Sequence, residues 1–194
     1  MRWGEHWRIS RDVYYPDKSL FFQLGSILPD WFERHPIHRW VDTKELFLDR
    51  ICKISRMKRG KRREWYLGTI AHYICDYCCM AHNEEYYNLY RHRVYEVLSQ
   101  KYDKKKRKDG DRRIEAWMNR VGTKLWMQDR GEVQAGNNLR EKTGHAVELY
   151  TGRLHEEINA LESSEWFRDP RVMKLDIEYS YGLLQTVMLI LAEH

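Results

Sequence analysis

Residues 63–81 read REWYLGTIAHYICDYCCMA, and the conformation of this stretch decides the architecture. Ile70, Tyr73 and Cys79 share one stripe with His72 and Asp76. That spacing predicts a helix over 63–81, with no strict apolar/polar alternation to argue for a strand. The same period recurs on both sides, over His6–Val13, Ser19–Leu28, Lys44–Met57, Glu84–Lys101, Asp111–Trp126, Asn138–Leu161 and Pro170–Glu193. The second of these stops at Pro29, because the residue before a proline disfavours helix. In the last, Pro170 suits a first-turn position and Asp169 is the candidate N-cap. Val and Thr are scarce. The expectation is an all-α fold, a multi-helix bundle forming a single domain over 1–194.

Two segments read as loops. Pro29–Asp42 contains two prolines among polar and aromatic residues, and Tyr102–Arg113 runs Lys-Lys-Lys-Arg-Lys and then Asp-Gly-Asp. The basic run reads as a solvated connection that could touch a phosphate or a membrane surface.

Composition narrows the function. Apolar residues make up 42% and charged residues 32%, which excludes a disordered chain. Lys and Arg number 34 against 29 Asp and Glu, and a net charge of +5 is too mild to argue for nucleic acid by itself. The longest apolar stretch, near Leu183–Ala192, is too short to span a bilayer and reads as a core helix. Met1–Asp12 carries Arg2, Glu5, His6, Arg8, Arg11 and Asp12 with no apolar segment, so a cytoplasmic location is expected. Cys75, Cys78 and Cys79 crowd together and, with Cys52, make a poor disulfide framework. They read as small buried residues.

The chemistry lies in the histidines. Six of nine fall within the first 92 residues: His6, His35, His38, His72, His82 and His92. His72 and Asp76 are four apart, as are His92 and Glu96. Residues so spaced on a helix lie about 5–6 Å apart at Cβ, so each pair can grip one cation. His82 follows Asp76 by six residues and can turn toward the second pair. A lone buried His–Asp pair is explained by a hydrogen bond. Two pairs, an intervening histidine and a loop with Asp30 and His38 point instead to metal. Nitrogen and oxygen donors without thiolate suit Zn²⁺, with Mn²⁺ or Fe²⁺ as alternatives.

The order His6, Asp30, His38, His72-xxx-Asp76, His82, His92-xxx-Glu96 resembles the bacterial zinc-dependent phospholipase C family. It is also similar to the related fungal zinc nucleases that cut single strands. The string HYICDYCCMAH followed by HRVYE carries the resemblance, with Gly25-Ser-Ile-Leu-Pro29-Asp30 and His38-Arg-Trp40 beside it. The resemblance covers Trp3 to Glu96, and the helical remainder carries no motif. It implies that Asp30, His38, His72 and Asp76 hold one zinc and that His82, His92 and Glu96 hold a second. His6 and a shared Asp76 would hold a third, a site that the family completes with the terminal amine of a processed chain. Met80 stands where many relatives have proline, and His35 rivals His38.

The activity implied is zinc-dependent phosphodiester hydrolysis of the phospholipase C type, with two or three zinc ions and Asp30 as candidate general base. The substrate would be a small phosphoester or a phospholipid, with transient contact to a membrane surface and no stable nucleic-acid partner. The alternatives are a nuclease on the same cluster and a non-enzymatic, metal-stabilised helical protein. Trp31, Phe32 and Trp40 would flank the site, facing a head group or a base, or else capping the core. Tyr86, Tyr87 and Tyr90 could line the cleft. His145 and His155 read as surface or core residues.

Overall fold

A computed structural model describes residues 3–13, 19–29, 39–82, 88–108 and 138–194. Its long elements are α1 (Trp3–Val13), α2 (Leu20–Gly25), α3 (Trp40–Ser55), α4 (Lys61–Tyr77), α5 (Leu89–Lys108), α6 (Leu139–Asn159) and α7 (Pro170–Ala192). Short 3₁₀ turns occur at Met80–His82 and Trp166–Arg168. No strand is present among the described residues, and the fold is all-α as expected.

Local chemistry sets the helix starts. Ser19 caps α2 by accepting from the Phe22 N–H at 3.4 Å, and Asn138 caps α6 by accepting from Glu141 at 3.0 Å. Asp169 caps α7 as predicted, accepting from the Arg171 N–H at 2.8 Å with Pro170 in the first turn. The Arg171 side chain beside it holds the Asp169 carboxyl down at about 2.

Helix α4 is the axis of the molecule. Every residue from Leu67 to Tyr77 is buried, and α1, α2, α3 and α7 pack around it. The α2–α4 contact is the closest crossing. A Cβ on Gly25 would sit 2.2 Å from the Trp65 carbonyl oxygen, and one on Gly68 would sit 2.1 Å from that of Phe22. Only hydrogen at both positions lets the two backbones meet. On the far side, α7 packs against α4 and α6, with Leu183, Leu184, Val187, Ile190 and Leu191 buried. This is the core helix expected from its sequence, and no described helix is long and apolar enough to cross a membrane.

The boundaries differ from the sequence reading in several places, and α2 ends at Gly25 rather than at Leu28. Helix α3 begins at Trp40, inside the expected 29–42 loop. The helix expected over 63–81 ends at Tyr77, and the chain re-forms as a 3₁₀ turn that ends on His82. Helix α5 starts later than expected and continues to Lys108, so the basic run at 104–108 is helical rather than a loop. Lys and Arg are good helix formers, and cations in a last turn complement the helix dipole. The helix expected over 111–126 lies outside the described residues.

Candidate metal centre

Three separate elements bring imidazoles to one carboxylate. His6 from α1, His72 from α4 and His82 from the 3₁₀ turn all face Asp76, and all four side chains are buried. The two carboxylate oxygens divide the work. Asp76 Oδ2 faces His72 Nε2 at 3.3 Å, while Oδ1 faces His6 Nε2 at 3.3 Å and His82 Nδ1 at 3.4 Å. The His6 and His72 rings stack with centroids 4.4 Å apart. The His72–Asp76 half of the cluster follows from helical spacing, but the approach of His6 comes from α1 packing across α4.

The backbone orients His72. Its Nδ1 lies 3.1 Å from the Ser26 carbonyl oxygen, which can only accept. Nδ1 therefore carries a proton, and Nε2 is left turned toward Asp76. Ser26 stands just past α2, so the Gly25/Gly68 crossing delivers this carbonyl to the ring. A ligand imidazole held by its other nitrogen is the common support of a metal histidine.

The second group is adjacent. His82 Nε2 lies 2.9 Å from His92 Nε2, and His92 Nε2 lies 3.9 Å from Glu96 Oε1. His82 thus touches both groups, with Nδ1 on Asp76 and Nε2 on His92. Burial pushes the His82 imidazole well below its ordinary pKa, against the opposing pull of Asp76. It is neutral near pH 7, the form in which imidazole donates a lone pair.

Zinc fits this donor set in kind. Tetrahedral bonds of about 2.0–2.1 Å put neighbouring donors roughly 3.3 Å apart. The separations around Asp76 match that value, whereas the His82–His92 pair is closer and the His92–Glu96 pair wider. Contacts run pairwise, and among the described residues no group of three or more His, Cys, Asp or Glu side chains surrounds a point ready for an ion. Asp30, His38 and His35 lie outside the described residues. Burial raises the Cys79 thiol to about 12 and pushes Cys78 up as well, in keeping with the reading of these residues as small and buried.

Asp76 and His82 lie on the wall of a cleft of about 250 Å³ that also takes in Trp40, Tyr77, Thr151 and His155. Trp40 both lines this cleft and packs edge-on against Phe47 and Tyr77, at 5.8 and 5.4 Å between ring centroids. Thr151 and His155 come from α6, one turn apart, and sequence reasoning missed them; His155 was expected to have no place at the site. Their i,i+4 spacing is a weak signal, and nothing in the sequence says which cleft α6 faces. His145 is exposed, as expected, in a groove between α3 and α6. Tyr90 is 66% exposed and does not line the cleft. Trp31, Phe32, Tyr86 and Tyr87 lie outside the described residues.

A model of the zinc-dependent phospholipase C family matches residues 7–134. The chain belongs to the zinc-dependent phospholipase C family. Membership accounts for the all-α frame and supports zinc as the metal. The match takes in α2 to α5, and with them His72, Asp76, His82, His92 and Glu96. His6 falls just before it, and α6 and α7 fall beyond it. Searches of curated proteins and of solved structures returned no match.

Proposed function

We propose that this protein is a zinc-dependent phosphodiester hydrolase of the phospholipase C type, acting on a small phosphoester or a phospholipid. The observation that carries the reading is the single carboxylate of Asp76, shared among imidazoles from three elements at the wall of a cleft. Its two oxygens face different imidazoles, so it could serve more than one cation. His72 and Asp76 would hold one zinc together with Asp30 and His38; His82, His92 and Glu96 would hold a second, and His6 would share Asp76 in a third.

When bound, zinc neutralises the phosphate anion and lowers the pKa of water toward about 7. The chain's own residues do the rest. The Ser26 carbonyl, accepting from His72 Nδ1–H, holds the ring in one orientation with Nε2 toward Asp76. Trp40 and Tyr77 form an apolar wall that keeps bulk water from the phosphoester and strengthens every charge interaction beside it. Asp30 accepts the proton of the attacking water. The new bond forms from water oxygen to phosphorus, the bond from phosphorus to the leaving oxygen breaks, that oxygen takes up a proton from solvent, and Asp30 returns its proton to solvent. Thr151 and His155 face the substituent from the α6 wall.

The test is hydrolysis of bis(para-nitrophenyl) phosphate by zinc-loaded protein, repeated with lecithin vesicles and with single-stranded DNA. The proposal expects zinc-dependent turnover of the chromogenic ester that is lost in Asp30→Asn. Cleavage of DNA but not of lecithin selects the nuclease reading. Retained zinc with no hydrolysis of any phosphoester selects the non-enzymatic one.

A further inference from the structure

The motif-bearing half of the chain does not hold its donors in place alone. Asp176, in the middle of α7, is fully buried, and its Oδ2 accepts two bonds. One comes from the Met80 N–H at 2.9 Å and the other from the Tyr95 hydroxyl. Met80 opens the 3₁₀ turn that ends on His82, and Tyr95 sits between His92 and Glu96 on α5. One oxygen atom therefore ties the segment that carries His82 to the helix that carries the other pair. On the donor side of this tie, His82 and His92 stand 2.9 Å apart.

A carboxylate is an expensive group to bury for packing alone. Its neighbours on the same face of α7 are Val172, Met173, Tyr179 and Ser180, which an apolar residue would join at lower cost. Two bonds to one oxygen, one from each of two segments, require an acceptor in that place. The turn has particular need of it. It is a short 3₁₀ piece between a helix end and residues 83–87, and its first N–H has no partner within the turn itself.

We propose that Asp176 is a positioning residue for the second zinc site: it locks the His82 turn onto α5 so that His82 stays beside His92 and within reach of the His92–Glu96 pair. The inference rests on the reading that those three residues bind zinc. Asp176 is not one of the zinc donors in that reading. It acts through the Met80 backbone and the Tyr95 hydroxyl.

The experiment measures zinc stoichiometry and dissociation constants, together with the visible spectrum of the cobalt(II)-loaded protein, for wild type, Asp176→Ala, Tyr95→Phe and Tyr150→Phe. The last is the control. It breaks another buried hydroxyl bond to α7, Tyr150–Thr186 at 2.8 Å, away from Met80 and Tyr95. Asp176→Ala is expected to weaken one zinc by about tenfold or more and to alter the cobalt spectrum. Tyr95→Phe, which removes one of the two ties, should move both in the same direction by a smaller factor. Tyr150→Phe should lower the melting temperature and leave both unchanged. If Asp176→Ala does not fold, Tyr95→Phe against Tyr150→Phe decides the matter. Wild-type metal affinity and spectrum in the tie variants overturn the inference alone. A wild-type protein that takes up no zinc at all overturns both the inference and the reading beneath it.

Discussion

Gly68→Ala separates helix propensity from helix contact. In the interior of an isolated helix the change would stabilise by about 0.8–1.0 kcal/mol, because alanine is the better helix former. Here the new Cβ would lie 2.1 Å from the Phe22 carbonyl oxygen and 2.9 Å from the Ser26 nitrogen. A carbon and a carbonyl oxygen rest at roughly 3.3 Å or more, so α2 must withdraw by about 1 Å. Both obstacles are backbone, and no rotamer change relieves them. Overpacking of this kind costs about 1–3 kcal/mol, and the upper end applies where backbone meets backbone, so the net expectation is destabilisation by about 2 kcal/mol. The same withdrawal carries the Ser26 carbonyl away from His72 Nδ1, now 3.1 Å distant, and out of hydrogen-bond range. Zinc affinity should therefore fall together with stability. The assay is urea unfolding with and without zinc, combined with a zinc titration. A variant more stable than wild type, with unchanged zinc affinity, would refute the claim that this crossing sets the site.

Three further outcomes are expected. Gly152→Ala, on exposed α6 surface where a Cβ meets nothing within 4 Å, should stabilise by about 0.8–1.0 kcal/mol in the same urea assay. Burial raises the Glu178 carboxyl to about 7 despite Lys174 beside it. Its neutral form is the one the fold favours, so its contribution to stability is full below the ordinary glutamate range and declines as pH rises to about 7. Glu178→Gln should therefore match wild type near pH 4.5 and exceed it in melting temperature above pH 7; equal melting temperatures at high pH would contradict this. His155→Ala should lower kcat/KM for phosphodiester hydrolysis while zinc content stays at the wild-type level, and unchanged kinetics would remove His155 from the cleft's chemistry.

What could be read from the sequence was local. The His72–Asp76 and His92–Glu96 pairs are legible because helical geometry fixes what lies four residues on. The Asp169–Pro170 start of α7 is legible because a cap and a first-turn proline act within one turn. The end of α4 was not, since Tyr77 to Ala81 carries no proline or glycine to mark a stop; the Met80–Asp176 bond that helps fix the following turn spans most of a hundred residues. His6 could be attached to Asp76 only through the resemblance to a known family, because spacing says nothing about how α1 crosses α4. Thr151, His155 and Asp176 were missed for the same reason: their partners are tertiary. Asp176 did leave a trace, an acid on the apolar stripe of α7, and Gly68 left another, a glycine in the interior of a buried helix. Asp30 and His38 lie outside the described residues, so their part in the site rests on the resemblance.

The central claim is that one shared carboxylate gathers imidazoles around zinc. An anomalous difference map at the zinc edge, from crystals of the zinc-loaded protein, tests it most directly. The account expects peaks within bonding distance of Asp76, with His72 Nε2 and His6 Nε2 turned to them. A map with no peak there, and with the three imidazoles still against Asp76 in the presence of excess zinc, would contradict it.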